Sequence, residues 1–109
     1  MNKSEILENY YSTLYKWENI ISLVKNDDTP EGGYYREFWN PCGFCKVHMC
    51  FRDCPLYDSN GSYDCHAMGY ILRRLDYHTI SNAEAISEIS SFIKLIEKII
   101  KEKEDDDVL

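Results

Sequence analysis

The sequence predicts a small, mainly α-helical domain: three helices, with a cysteine-rich metal knuckle between helices 1 and 2. Three observations predict it. Apolar residues recur at alternating spacings of three and four over long parts of the 109-residue chain, the period of helices with one buried face. Four of the five cysteines gather where that period is lost. And a chain of this length is near the size at which a structural staple helps a modest core. The expected organisation is a single domain over 1–109, with helix 1 at 1–26, a loop and cysteine knuckle at 27–62, helix 2 at 63–78, helix 3 at 81–104 and an acidic tail at 105–109.

Helix 1 follows from Leu7, Tyr10, Leu14, Trp17, Ile21 and Val24, which share one stripe that Ile6 and Ile20 widen. Asn2 or Ser4 serves as its N-cap, and Glu5 and Glu8 lie where the helix dipole favours anions. The pattern ends near Lys25-Asn26. Asp27-Asp28-Thr29-Pro30-Glu31-Gly32-Gly33 then breaks both helical and strand periods. The aromatic group Tyr34, Tyr35, Phe38 and Trp39 is expected to pack over the metal site, which has too few carbon atoms to form a core. Its use as a platform for a ring-shaped ligand requires positive charge close by, and in sequence only Arg36 and Lys46 are near.

Beyond the cysteines, Asn60-Gly61 signals a turn and Ser62 is placed to cap helix 2. Met68, Ile71, Leu72 and Leu75 form its stripe, which Cys65 shares, while Arg73 and Arg74 point to solvent. Gly69, costly inside a helix, marks a close helix contact or a neighbouring loop. Ser81-Asn82-Ala83-Glu84 has capping-box spacing and opens helix 3. There Ile86, Ile89, Ile93, Ile96 and Ile100, edged by Ala85, Phe92 and Ile99, make a stripe wide enough to face both other helices or to pair a homodimer.

The cysteine spacing is C-x2-C (Cys42, Cys45), C-x3-C (Cys50, Cys54) and then Cys65. A C-x2-C knuckle lets two thiolates converge on one ion, with Gly43 easing the backbone around it. Cys50 and Cys54 would share one face of a helical turn that Pro55 ends. The expected ligands are therefore Cys42, Cys45, Cys50 and Cys54, the closed four-sulfur arrangement of structural zinc. Cys65 and His48 are the alternates, and His66 is a further candidate. The rival cofactor is an iron–sulfur cluster. Cys50-x3-Cys54-Pro55 matches the end of a ferredoxin-type run and Cys42-x2-Cys45 its start, but four residues separate the pairs where two are needed. Zinc, whose knuckles tolerate variable spacing, is favoured.

Charge narrows the partners. The chain carries a net −7: −3 over 1–41, 0 over 42–80 and −4 over 81–109. Such a chain repels phosphate backbones, so nucleic acid is disfavoured except at the neutral middle, where Arg52, Arg73 and Arg74 offer a weak accessory site. The negatively charged helices suit a protein partner with a basic surface. No apolar leader opens the sequence and no window approaches the roughly 18 apolar residues of a membrane span. With an odd cysteine count as well, a cytoplasmic protein with reduced thiols is expected.

Catalytic motifs are missing from the sequence: there is no Gly-rich phosphate loop, H-E-x-x-H, G-x-S-x-G or H-x-E. Cys65 and His66, adjacent on a helix, point about 100° apart and make a poor nucleophile–base pair. A non-enzymatic role is expected.

Trp17, Cys42-Gly-Phe-Cys45, Cys50-x3-Cys54-Pro-Leu-Tyr57, Cys65 and a helical C-terminus together resemble small cysteine-rich metal-binding proteins of phages and mobile elements. The likeness lies mainly in the middle third, and the second pair is C-x3-C where that group has C-x2-C. It implies a metal-stabilised accessory protein and an inhibitor of a host defence component. The expected function is thus a protein-interaction module stabilised by zinc, with an iron–sulfur redox or sensor protein and a weak nucleic-acid-binding accessory protein as the alternatives.

Overall fold

Five helical segments make up most of the described residues of the computed structural model: α1 (Lys3–Lys25), α2 (Tyr34–Phe38), α3 (Gly43–Val47), α4 (Cys65–Asp76) and α5 (Asn82–Asp105). The structure describes residues 2–39, 43–48, 54–56 and 65–105, with Cys45 described through its backbone alone. The mainly helical class is as expected, but the number of helices is not three. The expected helices 1, 2 and 3 are α1, α4 and α5. The expected loop over 27–62 contains two further helices, each of five residues. A single turn is too short for a 3.6-residue period to register, and both turns are held by residues distant in sequence.

α1 starts where Asn2 Oδ1 accepts a hydrogen bond from the Glu5 amide at 2.8 Å, which satisfies one of the helix's orphan donors. It ends through Asp27, whose φ of 51° turns the chain left-handed. There the Asp28 amide donates to Leu23 O and the Asp27 amide to Val24 O, the paired closure of a Schellman end. α4 ends in the same way with His78 at φ 60°. Glu84 N donates to Ser81 Oγ at 3.1 Å, so α5 begins at the serine cap that its spacing predicts.

α1 and α5 run antiparallel and build the core between them. Lys3 Nζ donates to Glu104 O at one end, and Asn82 Nδ2 donates to Val24 O at the other. Tyr10, Leu14, Trp17, Ile20, Ile21 and Val24 of α1 are buried against Ala85, Ile89, Phe92, Ile96 and Ile100 of α5. Trp17 meets Phe92 edge to face at 5.1 Å and Phe38 at 6.4 Å, a geometry that suits the ring quadrupoles. α4 closes the core with Met68, Leu72 and Leu75. The α5 stripe is largely covered within the chain, with Ile86, Ile93 and Ile99 half-buried at its edges.

The short helices are fastened by side chains of the long ones. The Asp76 carboxylate at the end of α4 accepts the Tyr34 amide at 2.7 Å and the Tyr35 amide at 2.9 Å, so it caps α2. Lys16 of α1 donates to Phe38 O at 2.7 Å and closes the far end. A Cβ at Gly69 would stand 3.0–3.2 Å from the Phe38 ring, so of the two neighbours its position allows, a helix or a loop, the fold supplies the helix α2. The aromatic group expected to pack over the metal site lies instead against the helical core, where Phe38 meets Trp17 and Gly69: Tyr34 is buried and Tyr35 and Phe38 are half-buried, but Trp39 is 68% exposed. α2 ends before Trp39, whose ring meets Tyr35 and Phe38 edge to face at 5.8 and 5.7 Å and leaves most of its surface outside.

Candidate functional site

The cysteine segment meets the rest of the molecule through α3. Gly43 lies so close to α1 that a Cβ there would strike the Asn9 carbonyl and come within 2.9 Å of Thr13 Oγ. Thr13, fully buried on an otherwise apolar face, donates to Asn9 O and accepts the Phe44 amide at 3.2 Å. Phe44 stacks on Tyr10 with centroids 4.1 Å apart and planes 2° from parallel. The sequence suggested that Gly43 makes room around a metal. In the fold it lets two backbones touch.

This anchoring sets α3, and with it the backbone of Cys45, against the first half of α1. His48, just past α3, brings Nε2 within 2.5 Å of the Tyr10 hydroxyl. Cys54 is 6% exposed and Leu56 1%, both joined to the core. Pro55 between them lines a shallow cavity of about 370 Å³ with Tyr10, Ile99 and Glu102, which puts this segment at the end where α1 begins and α5 finishes. Cys65 is half-buried at the first position of α4, and His66 is exposed. Cys42 and Cys50 lie outside the described residues, as do Asn60, Gly61, Ser62 and Arg52. Among the described residues no group of three His, Cys, Asp or Glu side chains is placed to hold a metal ion.

The same end of the molecule carries a surface network. Tyr11 donates to Glu104 Oε2 at 2.7 Å. That hydrogen bond, with lesser contributions from burial and from the charges of Glu104 and Tyr15, holds the Tyr11 phenol above its ordinary pKa of 10.0.

A second feature lies at the opposite end. The segment after α1, the N-terminus of α2, the C-terminus of α4 and the start of α5 enclose an open cleft of about 620 Å³. Tyr35, Trp39, Tyr77, Arg36 and Arg73 are among its walls. The Arg73 guanidinium lies 5.0 Å from the Tyr35 ring centroid, a cation–π placement. Reading the sequence missed this meeting, because Arg73 and Tyr35 are 38 positions apart and Arg73 looked like one of two solvent-facing charges. Its neighbour Arg74 instead turns back to donate to Thr79 O at 3.0 Å, closing the end of α4.

No family model, curated protein or solved structure matches this chain. Among the described residues no helix is long and apolar enough to cross a membrane.

Proposed function

We propose that this protein is a non-enzymatic interaction module, stapled by a structural zinc, that docks its acidic helical face on a basic surface of a partner protein. One observation carries the docking half of this reading. On α1, Tyr15 is 61% exposed and shares an outward face with Glu8 and Glu18, both exposed. A rigid aromatic ring framed by carboxylates, on a chain of net charge −7, fits the pattern of an aromatic anchor inside a charged rim. Long-range attraction would steer such a surface toward cations. The resemblance to phage and mobile-element proteins extends the reading to inhibition of a host defence protein.

The staple would be held by Cys42, Cys45, Cys50 and Cys54, with Cys65 or His48 in reserve. Cys54 supports it, since its thiol is buried at the core, where an ion bound to it would be shielded from water. Cys45 supports it through α3, whose backbone is seated against α1 by Gly43 and by the Phe44 amide bond to Thr13. Zinc at such a site supplies cross-linking of the fold, and a closed sulfur shell leaves no open position for chemistry.

The test is retention of a partner by the immobilised full chain, compared with a Glu8→Lys/Tyr15→Ala/Glu18→Lys variant. Wild-type protein is expected to retain one specific partner at low salt and to release it as salt rises. The triple variant should retain none while melting as wild type does. Equal retention by both would defeat the assignment of this face.

A further inference from the structure

The cleft between α2 and the end of α4 has no part in the docking face or in the cysteine segment. Asn82 on its wall and Ile99 beside Pro55 are about 25 Å apart along α5 at 1.5 Å per residue. We infer that this cleft is a binding site for a nucleoside monophosphate, with the base stacked on Trp39 and the phosphate held by Arg36 and Arg73.

Three observations lead there. The first is exposed aromatic surface: Trp39 is 68% and Tyr77 69% exposed, and both line the same cleft. Large apolar rings left at the mouth of a concavity of about 620 Å³, inside the range of small-molecule sites, mark a place where a flat ligand gains area. The second is cationic. Among the described residues neither Arg36 nor Arg73 has a carboxylate in ion-pair contact, in a chain where acids outnumber bases nineteen to twelve. Arg73 is steadied by the Tyr35 ring. Arg36 folds against the turn at Gly32, where a Cβ would come within 2.7 Å of its Cδ. Guanidinium groups are suited to phosphate because their donors match paired oxygens.

The third observation decides which groups meet the anion. The two carboxylates on the cleft wall already accept hydrogen bonds: Asp76 takes the Tyr34 and Tyr35 amides, and Asp27 Oδ1 accepts from Asn82 Nδ2 at 3.2 Å. Those contacts turn the carboxylate oxygens toward the backbone and Asn82. Asp76 also occupies the first amides of α2, so a phosphate cannot use them and must go to the arginines. A ring with an attached dianion satisfies both halves of the site. A neutral ring or a bare anion satisfies one.

Equilibrium dialysis of the full chain against AMP, adenosine and inorganic phosphate tests this, with tryptophan fluorescence followed in parallel. AMP is expected to bind saturably and to quench the exposed Trp39, with adenosine and phosphate each weaker by about tenfold or more, as expected when a stack or a guanidinium contact is lost. Trp39→Ala and Arg73→Ala should each weaken AMP by about tenfold with unchanged melting, while Tyr15→Ala, on another face, should leave AMP binding as it was. The inference is overturned if AMP shows no saturable binding at millimolar concentration, if it binds no better than phosphate, or if Trp39→Ala binds it as wild type does.

Discussion

Replacing Gly43 with alanine probes how the cysteine segment is built onto the helices. The new methyl would collide with the Asn9 carbonyl and crowd Thr13 Oγ at 2.9 Å, and both belong to α1, a 23-residue helix packed into the core. α3 must therefore move. Overpacking of this kind costs about 1–3 kcal/mol. Displacement would also lengthen the Phe44 amide bond to Thr13, leaving a buried donor unsatisfied at about 1–3 kcal/mol. The Tyr10–Phe44 stack adds about 0.5–1.5 kcal/mol. These losses share one movement and do not add in full, so the expected destabilisation is about 3 kcal/mol. That is a large part of the 5–15 kcal/mol by which domains are usually stable. Urea unfolding measures it, with Thr13→Val as a companion that removes the acceptor without a collision. Thr13→Val should lose about 1–3 kcal/mol. If Gly43→Ala changes stability by less than about 0.5 kcal/mol, the range of an uninvolved surface site, then α3 is not seated on α1 as described.

Three further outcomes follow from single contacts. Asp76→Ala removes the cap on α2 and should cost about 2 kcal/mol in urea unfolding, toward the upper end for a helix cap because two amides lose a charged acceptor. Tyr34→Phe deletes a buried hydroxyl that has no hydrogen-bond partner among the described residues, so it should stabilise the protein by about 1 kcal/mol, and a loss of stability would show that the hydroxyl is used. Tyr11 should ionise above its ordinary 10.0, and Glu104→Gln should bring it down, as read by ultraviolet titration of the phenol. Because the folded-state value is the raised one, any stability this pair contributes is complete below the unfolded-state pKa and is lost as pH rises through the folded one.

The long helices were legible because each carries its own evidence. Tyr10, Leu14, Trp17 and Val24 repeat on α1, Ile89, Ile96 and Ile100 repeat on α5, and Asn2 and Ser81 cap within three residues of their partners. Gly69 was legible too, as a residue whose cost in a helix demanded a close neighbour. α2 and α3 were hidden because nothing within five residues stabilises them. Asp76 caps α2 from 42 positions away, and Thr13 receives the Phe44 amide from 31. Thr13 in particular reads as a polar interruption of a stripe until α3 is laid against it. The same distance hid the cleft. Trp39 with only Arg36 and Lys46 near looked like packing, and only the fold brings Arg73 to the neighbouring ring. The cysteine spacing was plain in sequence, and the fold adds a buried Cys54 and a seated α3 to it.

Elemental analysis of the purified full chain, taken with its visible spectrum, tests the central proposal most directly. Stoichiometric zinc, a colourless solution, and loss of both metal and cooperative melting in Cys42→Ser are the predicted results, since structural zinc in small modules contributes folding free energy on the order of 10–16 kcal/mol. Iron with a coloured charge-transfer band would contradict zinc. A Cys42→Ser protein that melts and binds metal as wild type does would contradict the staple itself.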